Sequence, residues 1–235
     1  MYHSVTFGEK NTWTDWGLIP SSRPVFVPPT AKEKFIDIPG KSGPMDLSTL
    51  YAGRTVFANR QGSLEFIVTD QTRDWEELYS EITEYLHGRK LRASLEDDPD
   101  YFYEGRFSVN AWKSQKDFSR IVIDYNVGPY KKFFSGTLDD WLWDPFDFEE
   151  GMIMDYLDLE VNGPDSLTVE IIGGPQEVVP KITASRPMTV KYKGKIYELE
   201  AKLNRIPDMI LDEGLNQLIF SGNGHVTIDY RGGSL

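Results

Sequence analysis

The chain has 235 residues, 40% hydrophobic and 13% aromatic, enough to bury the cores of one large or two modest domains. Its net charge of −12 is spread along the chain, which argues against a DNA-groove or anionic-membrane surface, because both need clustered lysine and arginine. It has no cysteine, which excludes disulfides, thiolate zinc sites and cysteine nucleophiles.

No membrane-spanning or secretory segment is predicted. No apolar run approaches the roughly 20 residues of a membrane helix. Residues 1–4 lack the basic and then apolar pattern of a secretory signal. We therefore expect no membrane association, and synthesis and folding in the cytoplasm.

Residues 1–70 are predicted to form short strands separated by turns. Segments 5–7, 16–19, 35–38 and 64–69 have strand-like composition. Segment 25–27 ends at Pro28 and Pro29, which restricts it to an edge strand or an extended arm. A proline- and glycine-rich turn and loop follows over residues 39–44. The pattern is typical of half of a sheet or barrel.

One helix is predicted over residues 74–87. Its apolar residues fall at the spacing of a single helix face: Trp75, Leu78, Tyr79, Ile82, Tyr85 and Leu86. Asp74 is the predicted N-cap, with Glu77 as its capping-box partner, and Gly88 supplies the left-handed residue after the helix. We expect this face to cover a sheet rather than to bind a partner, because a lone helix among strands normally closes a core.

Three strands follow, at residues 91–95, 101–112 and 118–127, and they predict a meander beneath the helix. The second strand is expected to break at Gly105. Glu96, Asp98 and Asp100 alternate as calcium ligands do, but Tyr101 stands where an EF-hand needs glycine. Phe107 stands where that loop needs its glutamate. We interpret residues 96–100 as a solvated acidic turn.

Residues 133–151 differ from both flanking regions. Acidic residues alternate there with aromatic ones, including Trp141 and Trp143. So many aromatic side chains do not suit a free linker, and we interpret the segment as a connector packed between two domains. The alternative, stacking of these rings on sugars, stays open.

Residues 152–235 show only β patterns. The candidate strands are 156–161, 167–172, 181–184, 188–192, 195–203, 208–211, 217–221 and 226–230. Their spacing is close to that of a β-sandwich. Residues 162–164, 193–194 and 222–224 are predicted turns.

The sequence predicts no catalytic, cofactor-binding or metal-binding residue. His3, His87 and His225 are far apart and have no ligand spacing around them. Residues 173–175 lack the lysine of a phosphate-binding loop. A pair of carboxylates for glycoside hydrolysis stays open in a chain with 37 acidic residues, although nothing favours any pair.

Several short motifs together resemble the distal tail proteins of long-tailed, non-contractile phages. In the N-terminal half they are residues 38–43 (IPGKSG) with 46–48 (DLS), 86–90 (LHGRK), 97–106 (DDPDYFYEGR), 123–125 (IDY) and 128–131 (GPYK). In the C-terminal half they are residues 214–216 (GLN), 222–224 (GNG) and 228–233 (IDYRGG). Each motif is mostly turn chemistry, but they cover nearly the full length in a fixed order.

The resemblance implies a mainly β protein of two domains. Residues 1–132 would form a ring-forming domain of tail-tube type, a β-sandwich or split barrel with one α-helix. Residues 133–151 would connect it to a galectin-like β-sandwich over residues 152–235. It implies no enzyme activity and no cofactor or metal.

The resemblance also implies a location and partners. The protein would form a homohexameric ring at the distal end of the virion tail and join the tail tube to the tip. Its partners would be the tail-tube protein, the tip hub or tail-associated lysin, and possibly the tape-measure and receptor-binding proteins. DNA would pass through the lumen without specific binding, which the acidic balance suits. Two alternatives are kept: a carbohydrate-binding module for host attachment, marked by an exposed aromatic platform, and a glycoside hydrolase.

Overall fold

The structure, a computed structural model, describes residues 2–50, 52–68, 72–114, 118–134 and 156–235. Residues 1–131 and 132–234 form two compact units. The predicted connector, apart from residues 133–134, lies outside the described residues together with Trp141 and Trp143.

In its described residues the first unit contains one helix together with short and long strands. They are β1 Val5–Phe7, β2 Lys10–Asn11, β3 Ile19–Pro20, β4 Phe35–Ile36, β5 Met45–Asp46, β6 Arg60–Val68, α1 Trp75–Leu86, β7 Lys90–Leu95, β8 Asp98–Ser114 and β9 Ser119–Val127, with β10 Lys131–Phe133 at the boundary. Seven of these strands follow one another in the antiparallel order β2-β1-β7-β8-β9-β6-β3.

The helix covers the sheet, as predicted. Leu78, Ile82 and Leu86 are buried in the same core as Phe66 and Phe107. The Asp74 carboxylate accepts hydrogen bonds from the backbone N–H groups of residues 76 (2.8 Å) and 77 (3.4 Å). These bonds satisfy donors that the first helical turn leaves free. Gly88 has φ +73°, as expected for the residue that ends a helix.

The predicted break of the second meander strand at Gly105 is wrong. Strand β8 runs through Gly105, which pairs with Leu91 on one side and Val127 on the other. A Cβ atom at this position would lie 2.9 Å from the carbonyl carbon of Asn126 and closer still to its oxygen and to the Cα of Val127. Glycine is therefore required by close strand packing and not by a turn.

The second unit is all β in its described residues. Its strands are β11 Leu159–Gly173, β12 Lys181–Ala184, β13 Met188–Tyr192, β14 Lys195–Leu199, β15 Leu203–Arg205, β16 Gly214–Asp229 and β17 Gly233–Ser234. The long strands β11 and β16 pair along their lengths, and β16 pairs with β13 through one half and with β12 through the other. Side chains from both halves, among them Phe220 and Ile228, share one core.

Two predicted turns in this unit are wrong and one is confirmed. Strands β11 and β16 continue through residues 162–164 and 222–224, with a register shift between Gly163 and Leu167. A Cβ on Gly222 would lie 2.6 Å from that of Met188, so this glycine permits a close approach within the sheet. The turn at Lys193 and Gly194 is present, with φ of 47° and 77°.

The strand boundaries also differ from the prediction. The segment predicted as a strand over residues 208–211 forms only an isolated bridge between Val178 and Leu211. The predicted strand 195–203 is divided, since β14 ends at Leu199 and β15 begins at Leu203.

Among the described residues, no helix has the length and apolarity to cross a bilayer.

Candidate assembly surface

A long excursion leaves the first sheet between β3 and β6. We call residues 28–58 the arm, all described except residue 51. Its stem is held by backbone hydrogen bonds from Lys32 N to Val56 O (2.7 Å) and from Ala58 N to Thr30 O (2.8 Å). Beyond the stem, β4 pairs with β5 as a separate two-stranded sheet. The arm is thus an ordered extension that carries its own hairpin.

The arm exposes apolar side chains. Phe35 is 53% exposed and Leu50 is 62% exposed. The other large apolar side chains with at least 40% exposure are Ile36, Ile38 and Met45. Single exposed apolar residues are normal, but several on one extension indicate an interaction surface. The hairpin strands also have unpaired edges in the described structure, and such edges are sites of strand pairing between chains.

The charge of the arm differs in sign from that of the rest of the chain. The arm carries four basic residues, Lys32, Lys34, Lys41 and Arg54, and three acidic ones, Glu33, Asp37 and Asp46. Its net charge is therefore +1, which leaves −13 for the remaining residues of a chain of net charge −12. The arm is thus weakly basic in a chain that is otherwise acidic.

Residues 25–27, just before the arm, are held by an aromatic cluster. The buried Phe26 ring lies 4.2 Å from the Tyr103 ring and 4.7 Å from the Tyr125 ring, measured between centroids. The Val27 N–H donates to the Tyr125 hydroxyl at 3.0 Å. Val25 and Val27, on either side of Phe26, are exposed. Segment 25–27 forms no strand. Of the two predicted alternatives, an edge strand or an extended segment, the structure adopts the extended segment.

The predicted acidic turn is a tight β7–β8 turn, but its carboxylates are not simply solvated. The Asp97 side chain is only 9% exposed and contacts His3 Nδ1 at 2.8 Å and Arg23 Nε at 2.8 Å. The hydrogen bond from His3 is the largest cause of the lowered pKa of Asp97; burial opposes it, and the interactions with Arg23 lower the pKa further.

Two neighbouring carboxylates also form bonds with other parts of the chain. Glu96 accepts from the Ser4 N–H at 2.8 Å, and this bond is the main cause of the lowered pKa of Glu96. Asp98 pairs with Lys131 at 2.8 Å. The turn therefore binds the N-terminal residues through Glu96 and Asp97, and the segment leading to the arm through Asp97.

The histidines and acidic residues form no recognisable site in the described structure. His3 binds Asp97, His87 ends the helix, and His225 lies 3.2 Å from Asp158. No group of three or more His, Asp or Glu side chains in the described ranges is arranged to hold a metal ion. Alternating Glu96, Asp98 and Asp100 thus do not converge on a cation.

The exposed large hydrophobic residues of the second unit are aliphatic. Ile172 and Leu215 are cross-strand neighbours and are 58% and 63% exposed, and Ile196 is 68% exposed. The exposed large hydrophobic residues within residues 156–235 include no aromatic side chain. The aromatic platform expected of a sugar-binding sandwich is therefore not found on this described unit.

Sequence comparisons return no family model and no curated protein that matches this chain. A comparison with solved structures finds the crystal structure of the Dit protein (gp 19.1) of phage SPP1, described as a paradigm of the hub adsorption apparatus in phages that infect Gram-positive hosts. The match has a TM-score of 0.64 at 11% sequence identity and covers 100% of both chains. The chain thus has the fold of a siphophage distal tail protein, which confirms at the level of the fold the resemblance seen in its sequence motifs.

Proposed function

We propose that this protein is a structural component of a phage tail tip that assembles as a homohexameric ring. The ring joins the tail tube to the tip hub and lets DNA pass. The observation that carries the proposal is the fold match to a tail hub protein over the full length of both chains. Both units of this chain take part in the match, so the likeness is not limited to a common β-sandwich.

The proposal assigns residues 1–132 to the ring-forming domain, residues 133–151 to a connector and residues 152–235 to a galectin-like domain. The tail-tube protein binds one side of the ring, and the tip hub or tail-associated lysin binds the other. Tape-measure and receptor-binding proteins are further partners at this distal end of the virion tail. The net charge of −12 suits a lumen that passes DNA without retaining it.

The arm is the surface that we assign to ring contacts. A closed ring needs heterologous contacts, in which one patch of each copy meets a different patch of the next. The arm supplies one such patch, with exposed apolar side chains such as Phe35 and Leu50 and a charge opposite to that of the remaining chain. This combination supports contact with a second copy.

The proposal assigns no catalytic step to this chain. The carboxylates of the acidic turn serve local structure, since Glu96 binds Ser4 and Asp97 binds His3 and Arg23. The SPP1 structure is that of a protein of the hub adsorption apparatus. The carbohydrate-binding alternative gains no support from residues 156–235, whose exposed large hydrophobic side chains include no aromatic one.

The test is the mass of the protein in solution over a range of concentrations, with negative-stain images of the same samples. We expect rings of six copies. A variant with Phe35→Ser and Ile36→Ser is expected to remain folded but to lose ring formation, because both side chains are exposed on the hairpin.

A matched control carries Ile196→Ser and Leu203→Ser, which remove two exposed apolar residues from the second unit. The control is expected to form rings as the unmodified chain does. A chain that stays monomeric at high concentration, both alone and with a neighbouring tail protein, would contradict the proposal.

A further inference from the structure

The buried side chain of Arg60 has an unusual set of partners. Arg60 is the first residue of β6 and is only 4% exposed. Among the described residues, no carboxylate pairs with it. Its Nε donates to the carbonyl oxygen of Pro129 at 2.9 Å, and its Nη1 donates to those of Phe26 at 3.3 Å and Val27 at 3.1 Å. The Tyr103 ring lies 5.3 Å from its guanidinium carbon.

This arrangement is costly, and stability alone is a weak reason to keep it. Removing a guanidinium from water is unfavourable, and a hydrophobic side chain of similar volume often stabilises a core as well or better. Burial lowers the pKa of Arg60, which reflects the same cost. Its location within the chain supplies a more specific reason.

Arg60 connects the residues just before the arm to the strand just after it. Phe26 and Val27 are the last residues before the arm, and Arg60 follows it after one residue. The guanidinium thus ties the outgoing backbone to the first residue of the returning strand. Pro129, at the end of β9, adds a third fixed point on the sheet.

We propose that Arg60 is a positioning residue that fixes the direction in which the arm leaves the sheet and so prepares it for contact with a second copy. This inference rests on the proposed ring. Contacts in a ring close only at one angle between neighbours. An arm that is already ordered also avoids the entropy cost of ordering on association. The guanidinium donates from two separate nitrogens, Nε and Nη1. A lysine has a single donor atom at the end of its chain, and an apolar side chain has none.

The test compares Arg60→Met and Arg60→Lys with Arg120→Met as the matched control. Arg120 lies on β9 of the same sheet, is largely exposed and pairs with Glu65. The control thus removes an arginine from the same unit without touching the arm. Three readouts are taken on the full chain: thermal melting, backbone amide exchange, and the concentration at which half of the protein is assembled.

For Arg60→Met we expect a folded protein in which exchange rises at least tenfold at the amides of Val27, Lys32 and Ala58, the last two belonging to the arm stem. Exchange within the β8–β9 pairing should stay as in the unmodified chain. The concentration for half assembly should rise at least tenfold. Arg60→Lys should lie between Arg60→Met and the unmodified chain in both readouts.

The inference is overturned if Arg60→Met exchanges and assembles as Arg120→Met does. If Arg60→Met fails to fold, Arg60→Lys decides: unchanged arm exchange in that variant overturns the inference. The proposed ring is tested separately by the unmodified chain. A monomeric unmodified chain whose Arg60→Met variant still shows faster arm exchange would refute the ring, while Arg60 would remain the residue that orders the arm.

Discussion

Replacing Gly105 by alanine tests whether close packing of β8 against β9 requires glycine. The new Cβ would lie 2.9 Å from the carbonyl carbon of Asn126. It would lie closer still to the carbonyl oxygen of Asn126 and to the Cα of Val127. Backbone in a paired strand cannot rotate away as a side chain can. We therefore expect a cost at the upper end of overpacking, about 3 kcal/mol. Alanine restricts the unfolded chain and returns about 0.4–1 kcal/mol, so the net loss is about 2–3 kcal/mol.

Gly128→Ala is the matched control. Gly128 follows β9, and the nearest atom to a Cβ there is the Glu104 carbonyl oxygen at 3.8 Å, an ordinary contact. Its φ lies outside the positive range that disfavours alanine. The control should thus leave the free energy of unfolding unchanged or raise it by a few tenths of a kcal/mol, to at most about 1 kcal/mol.

The assay is thermal unfolding followed by tryptophan fluorescence. Four of the six tryptophans lie within residues 1–131 and none within residues 156–235, so the signal follows mainly the first unit. A loss of about 2–3 kcal/mol corresponds to a fall in melting temperature of about 4–12 °C. The reasoning is refuted if Gly105→Ala melts within 2 °C of the unmodified chain (roughly 1 kcal/mol or less), or if Gly128→Ala falls as far.

Three further substitutions test single contacts. Asp74→Ala removes the helix N-cap and should cost about 1 kcal/mol, seen as a lower melting temperature of the first unit. Asn216→Ala should cost about 3 kcal/mol in chemical unfolding of the second unit, because the buried amide accepts from the Tyr192 hydroxyl and the Asp212 N–H and donates to the carbonyls of residues 171, 212 and 214. Asp97 has a lowered pKa in the folded chain, so its stabilising contribution is complete above its unfolded pKa and is lost as pH falls below about 4. Asp97→Asn should therefore show a smaller fall in melting temperature between pH 5 and pH 3 than the unmodified chain, and an equal fall would contradict the assigned ion pair.

The helix was the most predictable element because several local signals agree there. The apolar spacing of Leu78, Ile82 and Leu86 defines one face, Asp74 supplies the cap, and Gly88 ends the helix. Each of these signals acts within one or two helical turns. The local sequence is therefore sufficient to predict this helix.

The glycine positions were less predictable because the same residue serves two purposes. Gly194 lies in a turn with positive φ, as its neighbours suggested. Gly105 and Gly222 instead lie within paired strands, where a partner from another part of the chain comes too close for a Cβ. That partner is separated by more than twenty residues, so no local pattern distinguishes the two uses.

The role of Arg60 beside the candidate assembly surface could not be predicted from local sequence either. An arginine is expected at the surface, and nothing in the residues beside it signals burial. Its partners, the carbonyls of Phe26, Val27 and Pro129, are backbone groups that any residue type would supply. The proline-rich composition predicts an extended arm, but the residue that orders it is recognisable only in the structure.

The stretch that carries the clearest sequence resemblance is also the stretch that holds the beginning of the arm. Within residues 97–106, Asp97 binds Arg23, and Tyr103 packs against both Phe26 and Arg60. Gly105 then permits β8 to lie close to β9. If the arm makes the ring contacts, these residues set its position even though they lie on the sheet. Substitutions on this sheet segment should then weaken assembly although they change no residue of the arm.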